Sequence, residues 1–225
     1  MATFCLIHGH WHDGSCWASV AAKLRSRGHH VATPDMPFDR PHTYRERAQP
    51  ASDAVAHVQP PVVVVGHSVA SAEAALVAAE HDARLLVHLC PRMGEYAVPD
   101  GAPDVFRPSF RFPPRQDDGS LIWDPDDAIR EMYPRLDPPA AREAARRLHP
   151  STSPLDPYPL SAPPEVPTAL IYTTDDEFFP PEWERFIARE VLHVEPIEIP
   201  GGHFPMLEDP AALAMLLDRL AGARP

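Results

Sequence analysis

The decapeptide VVVVGHSVAS, residues 62–71, constrains the fold more than any other stretch of the sequence. Its four consecutive valines predict a strand that is covered on both faces, because such strands are apolar at every position. The small residues that follow favour a helix. Between the two stands a Gly-x-Ser-x-small pattern, with Gly66, Ser68 and Ala70 in the fixed places. This pattern predicts a turn too sharp for larger side chains, which presents the Ser68 hydroxyl at the edge of a sheet.

Short apolar runs alternate with helical patterns along most of the chain. We predict strands at 3–8, 30–34, 61–66, 85–90, 168–174 and 194–200, and helices at 17–27, 69–80, 181–190 and 210–220. Such alternation is typical of the α/β class, with a mostly parallel central sheet flanked by helices. The length of 225 residues predicts a single domain, 1–225.

The alternation breaks between residues 96 and 165, where prolines cluster around one amphipathic stretch at 125–148. The chain holds 30 prolines against 10 glycines, and a proline-rich segment can serve as a linker. Large apolar side chains argue against a solvated tether. They are Phe106, Phe110, Phe112, Trp123, Met132 and Tyr133. We therefore predict a small lid inserted into the sheet domain at about 96–165.

Charge and cysteine content restrict the partners and the compartment. A formal net charge of −12 repels a polyanion, so we expect no nucleic-acid partner. The N-terminus lacks the cationic start of a signal peptide, and no apolar run is long enough for a membrane helix. Cys5, Cys16 and Cys90 have unrelated spacings that indicate neither a disulfide framework nor a cysteine metal site. These features predict a cytoplasmic protein without a membrane partner.

Two further groups suggest what a serine at a sheet edge could do. A serine nucleophile needs a histidine to take its proton and a carboxylate to orient that histidine, in the chain order Ser, acid, His on this kind of sheet. Asp175, Asp176 and Glu177 follow one predicted strand, and His203 follows the last. Because strand ends meet at one edge, we expect Ser68 and His203 to lie together there with one aspartate. The other two carboxylates would face solvent or cap the next helix.

The histidines after the first strand allow a metal hypothesis. His8, His10, His12 and Asp13 stand close together, and His-x-His pairs after a strand are common zinc ligands. The run nearly matches the metallo-β-lactamase signature His-x-His-x-Asp-His, but the order of its last two residues is reversed. The hypothesis also leaves Ser68 unexplained, so we predict no metal site.

The competing interpretation of the first loop is an oxyanion loop. The His8-Gly9 turn would direct the backbone N–H of His10 at a substrate oxygen, together with the N–H of Val69 after the serine. The loop's Gly9 and Trp11 would then touch the substrate, with ordinary packing as the alternative for the Trp11 side chain.

Four segments together resemble the α/β-hydrolase superfamily over nearly the whole chain. They resemble the branch that contains methylesterases, salicylate-binding esterases, hydroxynitrile lyases and related bacterial small esterases. HGHWHDGSCW is similar to its His-Gly-x-Trp-His-Gly-Gly-Trp-Cys-Trp loop, GHSVAS to its Gly-His-Ser-x-Gly-Gly, TTDDEFFPPEW to its Thr-x-Asp-x-x-x-Pro-x-x-Phe segment and GGHFPML to its Gly-x-His-x-x-Met-Leu. The resemblance implies an α/β-hydrolase fold and places the catalytic acid on Asp176.

The sequence departs from that branch at three positions and from its lyases at two more. Asp13 and Ser15 replace Gly and Trp in the first loop, and Ala70 replaces the last Gly of the serine motif. In the lyases, a Thr follows the first-strand His and a Lys follows the catalytic His. Gly9 and Phe204 stand there instead, so cyanohydrin cleavage is not expected.

These patterns predict a serine hydrolase that cleaves a small or medium carboxylic ester, with a methyl ester or a lactone as candidates. Ser68, His203 and Asp176 would be catalytic, and no metal or organic cofactor is expected. The predicted substrate contacts are Gly9, Trp11, Phe110, Phe112, Trp123 and Met132. The expected partner is a small-molecule ester, and a homodimer is a candidate assembly.

Two other functions remain open from the sequence. The same triad could serve C–C hydrolysis, decarboxylation after ester cleavage, or a cyclisation in secondary metabolism. Alternatively, the fold could be a non-catalytic ligand-binding module.

Overall fold

A computed structural model describes residues 1–58, 61–93, 96 and 98–222. Its centre is a six-stranded sheet in the order β2-β1-β3-β4-β5-β6. The strands are β1 (Thr3–Ile7), β2 (His30–Ala32), β3 (Val62–His67), β4 (Leu85–Leu89), β5 (Thr168–Thr173) and β6 (Ile197–Ile199). Each neighbouring pair is parallel, so the predicted α/β class and parallel sheet are confirmed. The carboxyl ends of all six strands consequently meet at one edge of the sheet.

Eight α-helices surround the sheet in the described part of the chain. They are α1 (Ala18–Ser26), α2 (Tyr44–Val55), α3 (Ser71–Glu80), α4 (Pro125–Glu131), α5 (Pro138–Arg146), α6 (Pro181–Phe186), α7 (Pro205–Glu208) and α8 (Pro210–Gly222). The predictions at 17–27, 69–80 and 210–220 correspond to α1, α3 and α8. The prediction at 181–190 covers α6 and a following π turn, Ile187–Val191.

Helix α2 was not predicted, because Pro50 lies inside it and proline normally ends a helix. The helix begins with a capping box in which the Thr43 side chain accepts from the Glu46 N–H and the Glu46 carboxylate accepts from the Thr43 N–H. These two bonds satisfy backbone donors that a helix start otherwise leaves open.

The amphipathic stretch at 125–148 forms two helices, where the sequence predicted one element. Asp137 accepts from the Ala140 N–H and caps α5, whose first residue is Pro138. A proline is favourable in a first turn and unfavourable inside a helix, so the chain restarts there.

The stretch between β4 and β5 crosses the carboxyl edge of the sheet. Besides α4 and α5, it contains antiparallel bridges that join Leu121 to Arg115 and to Ser151. We call its residues 98–165 the lid segment; the predicted lid, 96–165, also includes Ala97, which lies outside the described residues. That this stretch acts as a separate lid stays a prediction.

Apolar side chains cover both faces of the sheet, as the valine run predicted. Phe4 and Leu6 of β1 point into one cluster, while Cys5 and Ile7 point into the other. Helices α1 and α8 contribute to the first cluster and α2 and α3 to the second. Within the described ranges, no helix combines the length and apolarity needed to cross a bilayer.

Candidate active site

The serine motif forms a sharp turn directly after β3. Ser68 has φ 57° and is only 7% exposed, a left-handed conformation that costs energy for a residue with a side chain. A Cβ on Gly66 would lie 2.5 Å from Ala74 Cβ and 2.8 Å from Ala70 O. The turn therefore requires a glycine at position 66 and small residues around it.

Asp176 and His203 meet at the same edge of the sheet. His203 Nδ1 lies 2.7 Å from Asp176 Oδ2, and both side chains are 1% exposed. Asp176 Oδ1 accepts from the N–H groups of Phe178 at 2.7 Å and Phe179 at 2.9 Å. Because a carboxylate only accepts, the His203 proton lies on Nδ1 and Nε2 keeps a lone pair. This tautomer is the one that a general base requires.

The structure distinguishes the two aspartates that the residues alone left open. Asp175 is exposed and lies 3.5 Å from Arg135 Nη1, on the protein surface. Asp176 points inward at His203, which agrees with the position that the family resemblance implied.

Ser68 lies at the same edge of the sheet, and the residue before it, His67, contacts His203 directly. The rings of His67 and His203 are 4.7 Å apart between centroids, and His67 Nε2 donates to the His203 carbonyl oxygen at 2.8 Å. Within the described residues, Ser68 Oγ makes no hydrogen bond to His203 Nε2. Such bonds are often long without substrate and tighten when it binds.

Glu177 is placed differently from the expectation that it faces solvent or caps a helix. Its Oε2 accepts from the His203 N–H at 2.8 Å, while Glu208 Oε2 accepts from the neighbouring Gly202 N–H at 2.9 Å. Burial raises the pKa of Glu177 to about 7. The expectation was wrong because the loop after β5 folds back against the loop after β6, a contact that the sequence alone does not reveal.

The first loop uses its histidines as hydrogen-bonding groups. His8 Nδ1 donates to Gly9 O at 2.8 Å, and His8 Nε2 accepts from the Met36 N–H at 2.8 Å. Burial lowers the pKa of His8, so its ring is neutral and internally satisfied. Burial also lowers the pKa of His10 to about 3.

His12 is engaged at both ring nitrogens as well. Its Nδ1 donates to His10 O at 3.1 Å, and its Nε2 accepts from the Tyr133 hydroxyl at 2.8 Å. With both His8 and His12 occupied by protein groups, the geometry favours the oxyanion-loop interpretation over the metal hypothesis.

The first loop packs directly on the serine turn. A Cβ on Gly9 would lie 3.0 Å from Ser68 Cβ and 3.1 Å from His67 O. Trp11 has φ 66°, a second strained residue at this edge. Gly9 thus brings the two backbones together and does not line the cavity described next.

A cavity of about 410 Å³ opens above Ser68. Its wall contains His10, Trp11, Ser68, Val69, Arg92, Phe106, Phe110, Phe112, Pro113, Arg115, Leu121, Ser153, Phe178 and Phe179. The predicted contacts Trp11, Phe110 and Phe112 are therefore on the wall, as are Ser68 and both predicted oxyanion residues.

The predicted contacts Trp123 and Met132 are placed elsewhere. Both belong to the hydrophobic core, with exposures of 6% and 1%. The Trp123 ring packs edge-on against Trp11, with 5.8 Å between centroids. Trp123 therefore supports the wall from behind and Met132 lies in the core, and the sequence could not distinguish either from a wall residue.

Phe178 and Phe179 are wall residues that the sequence reading missed. Their ring centroids lie 4.3 Å and 5.1 Å from that of His203. Their position in the sequence could have indicated this role, since both closely follow Asp176. An apolar cover over a histidine–carboxylate pair excludes water and strengthens the electrostatic interaction between them.

Two buried groups lie behind Asp176. Burial raises the pKa of the Cys90 thiol and of the Glu184 carboxyl, in both cases with a further contribution from the charge of Asp176. Burial thus disfavours the charged forms of Cys90 and Glu184, and Asp176 is the carboxylate that contacts His203.

The lid segment contacts the loops after β5 and β6, which carry Asp176 and His203. Arg107 donates through Nε to Asp176 O and through its backbone N–H to Phe178 O at 2.8 Å. Arg135 Nε lies 3.1 Å from Glu208 Oε2. The loops after β5 and β6 are thus fixed from above.

Comparison with known proteins agrees with this architecture. Solved structures with a similar fold include a pyrethroid hydrolase from Sphingobium faniae JZ-2 (21% identity, TM-score 0.76, 99% of this chain and 98% of that chain). They also include methylesterase MES16 from Arabidopsis (16% identity, TM-score 0.77, 98% of both chains). Polyneuridine aldehyde esterase is similar at 20% identity, with a TM-score of 0.78, covering 98% of this chain and 99% of that one.

A curated relative matches a shorter part of the sequence. The carbendazim hydrolyzing esterase of Nocardioides sp. (strain SG-4G) is 56% identical over 34 residues, which are 15% of this chain and 14% of that esterase. The model of the alpha/beta hydrolase family matches residues 6–216. Because this match spans nearly the whole sheet and the loops at its carboxyl edge, the chain belongs to the alpha/beta hydrolase family.

Proposed function

We propose that the protein hydrolyses carboxylic esters, with Ser68 as nucleophile, His203 as general base and Asp176 as the carboxylate that orients it. The observation that carries the proposal is the buried 2.7 Å bond between His203 Nδ1 and Asp176 Oδ2. It leaves Nε2 of His203 as the proton acceptor at the sheet edge where Ser68 follows β3.

In the first half-reaction, His203 Nε2 takes the Ser68 proton as Oγ attacks the ester carbonyl carbon. The resulting tetrahedral intermediate collapses, its C–O bond to the alcohol breaks, and His203 returns the proton to the departing alkoxide. Water then attacks the acyl-enzyme by the same route and releases the carboxylic acid. This scheme uses no metal and no organic cofactor.

The oxyanion of each tetrahedral intermediate would be stabilised by the backbone N–H groups of His10 and Val69. Both residues line the cavity together with Ser68. The helix α3, Ser71–Glu80, begins directly behind the serine turn, and its positive dipole end adds to this stabilisation.

The cavity supports an apolar acyl or alcohol group of small to medium size. Its volume of about 410 Å³ and its phenylalanine-rich wall suit such a ligand better than a polymer. The names of the similar proteins, among them a carbendazim hydrolyzing esterase and a methylesterase, support ester hydrolysis as the reaction. Methyl esters and lactones are the candidate substrates.

The proposal is tested by hydrolysis of p-nitrophenyl acetate and p-nitrophenyl butyrate by the wild type, Ser68→Ala and the exposed control Ser26→Ala. We expect Ser68→Ala to lose on the order of 10⁴-fold or more in kcat, and Ser26→Ala to match the wild type. Equal activity of Ser68→Ala and the wild type would refute the assignment of the nucleophile. A wild type that turns over no ester in a broad panel would refute ester hydrolysis.

A further inference from the structure

One peptide plane of the first loop is held from both sides. The Trp11 N–H donates to Ser151 Oγ at 2.8 Å, and the preceding carbonyl, that of His10, accepts from His12 Nδ1 at 3.1 Å. Ser151 belongs to the lid segment, 140 positions along the chain from Trp11, and is fully buried. The orientation of the His10–Trp11 peptide therefore depends on a distant hydroxyl.

This orientation is the less favourable one for the backbone alone. Trp11 has φ 66°, in the left-handed region that residues with a Cβ avoid. A half-turn of the His10–Trp11 peptide plane would return the φ of Trp11 to the negative range. The observed conformation persists because the surrounding hydrogen bonds favour it.

Ser151 is itself rigidly held. It forms a reciprocal backbone pair with Leu121, with N–H to O distances of 2.9 Å and 2.7 Å. The next residue, Thr152, donates through its N–H to Phe38 O at 2.8 Å and accepts from Arg47 Nη2 at 2.7 Å. Its neighbours thus fix the Ser151 hydroxyl relative to the sheet domain.

We propose that Ser151 is a positioning residue for ester hydrolysis: its hydroxyl keeps the first loop in the conformation that presents the His10 N–H to the oxyanion. The inference rests on the function proposed above. The His10 N–H belongs to the preceding peptide, Gly9–His10, which packs on the serine turn through Gly9 and is joined to the held plane at the His10 Cα. We therefore expect a rotation of the His10–Trp11 plane to shift this donor relative to Ser68. A misplacement of about 1 Å can cost on the order of 100-fold in rate.

The loop has other attachments that allow the variant to fold. The His149 N–H donates to Trp11 O at 2.8 Å, and Trp11 Nε1 donates to Leu121 O at 3.1 Å. Loss of the Ser151 hydroxyl leaves both bonds in place, so we expect the conformation of the loop to change while its docking persists.

The test compares Ser151→Ala with Ser120→Ala. Ser120 is a matched control because it is a buried serine of the lid segment, next to the Leu121 that pairs with Ser151. Its hydroxyl hydrogen-bonds to Asp118 and not to the first loop. We expect kcat of Ser151→Ala for p-nitrophenyl butyrate to fall about 10-fold to 100-fold with KM within about 3-fold. An arylboronic acid, whose tetrahedral adduct mimics the oxyanion, should inhibit this variant more weakly by a similar factor. Hydrogen exchange of the peptide containing residues 8–15 should be faster in Ser151→Ala than in Ser120→Ala.

Equal kcat values and equal boronic acid inhibition in the two variants would overturn the inference, as would a uniform loss of thermal stability that accounts for the lower activity. Failure of the proposed function has a different signature. In that case the wild type would already be inactive towards esters and insensitive to the boronic acid, and the positioning role would fall with it.

Discussion

The serine turn and the first loop each place one strained residue, Ser68 and Trp11, on the wall of the cavity, and the two are held in opposite ways. The turn at Ser68, with φ 57°, is packed tightly by its own neighbours in sequence, since a Cβ on Gly66 would meet Ala70, Ser71 and Ala74. Trp11, at φ 66°, is held by Leu121 and Ser151 of the lid segment. The serine turn is thus encoded locally, whereas the conformation of the first loop depends on a segment more than a hundred residues away.

This difference suggests a division of roles. Locally encoded strain cannot relax without disrupting the strand and helix that create it, so changes there should abolish the site. Strain held by distant hydrogen bonds can relax when one bond is lost, so changes there should reduce the rate and leave the fold intact. Substitutions at Asp176, Gly66, Glu177 and Tyr133 test this division.

The largest effect is expected at the locally held acid. Asp176→Asn retains the shape of the side chain but can donate to His203 Nδ1 and so stabilise the wrong tautomer. We expect kcat to fall by about 10³-fold to 10⁴-fold with little change in stability. Steady-state ester hydrolysis measures it, with the exposed neighbour Asp175→Asn as the control. Equal losses in the two variants would remove Asp176 from the mechanism.

The next effect tests whether the serine turn is intolerant of any added atom. Gly66→Ala places a Cβ 2.5 Å from Ala74 Cβ and 2.8 Å from a backbone oxygen. We expect a loss of about 3 kcal/mol in the free energy of unfolding, which lowers Tm by roughly 6–12 °C. Gly222→Ala is the control, since nothing lies within 4 Å of its added Cβ. A Tm for Gly66→Ala equal to that of the control would show that the turn is adaptable.

We expect an intermediate effect at the loop that carries His203, whose backbone N–H donates to the Glu177 carboxylate. Burial raises the pKa of Glu177 from the usual 4.5 to about 7. Between these values the folded protein retains a proton that the unfolded chain releases, so this group lowers stability progressively as pH rises through that window.

Glu177→Gln removes this cost and can still accept from the His203 N–H. Relative to the wild type, we expect it to gain roughly 1–2 kcal/mol at pH 8, and the gain should shrink towards pH 5. Urea unfolding at the two pH values measures it, with the exposed Glu190→Gln as control. A gain that does not depend on pH would contradict the charge explanation.

The smallest effect is expected at a distant support of the first loop. Tyr133→Phe removes the donor to His12 Nε2 and leaves the ring in place. We expect a loss of about 0.5–1.5 kcal/mol in stability and roughly a 3-fold to 10-fold fall in kcat. Chemical denaturation and ester hydrolysis measure the two quantities. A rate loss as large as that of Asp176→Asn would show that the first loop is as indispensable as the acid, which contradicts the proposed division.

The same distinction explains what the sequence revealed. The strands, the serine turn and the order of serine, acid and histidine follow from local patterns and from the rule that strand ends share an edge, and the fold was predicted from them. The choice of Asp176 over Asp175 came from the family resemblance. Helix α2 was missed because a local rule about Pro50 was overridden by tertiary packing. The roles of Glu177 and Ser151 were missed because each depends on a contact between segments that are far apart in sequence.

The lid segment shows most clearly what the sequence could not predict. Its aromatic content predicted that it packs on the sheet domain, but not which side chains face the cavity. Phe110 and Phe112 line the wall, whereas Trp123 and Met132 are buried in the hydrophobic core. All four have the same apolar character, and only the path of the backbone distinguishes them.

The most direct test of the account is covalent labelling with an alkyl fluorophosphonate, followed by peptide mass spectrometry of the wild type, Ser68→Ala and His203→Ala. We expect a single adduct on Ser68, no adduct in Ser68→Ala, and labelling slower by about 10³-fold or more without the histidine base. An adduct on another residue, or equal labelling rates in the wild type and His203→Ala, would contradict the proposal that Ser68 is a nucleophile activated by His203.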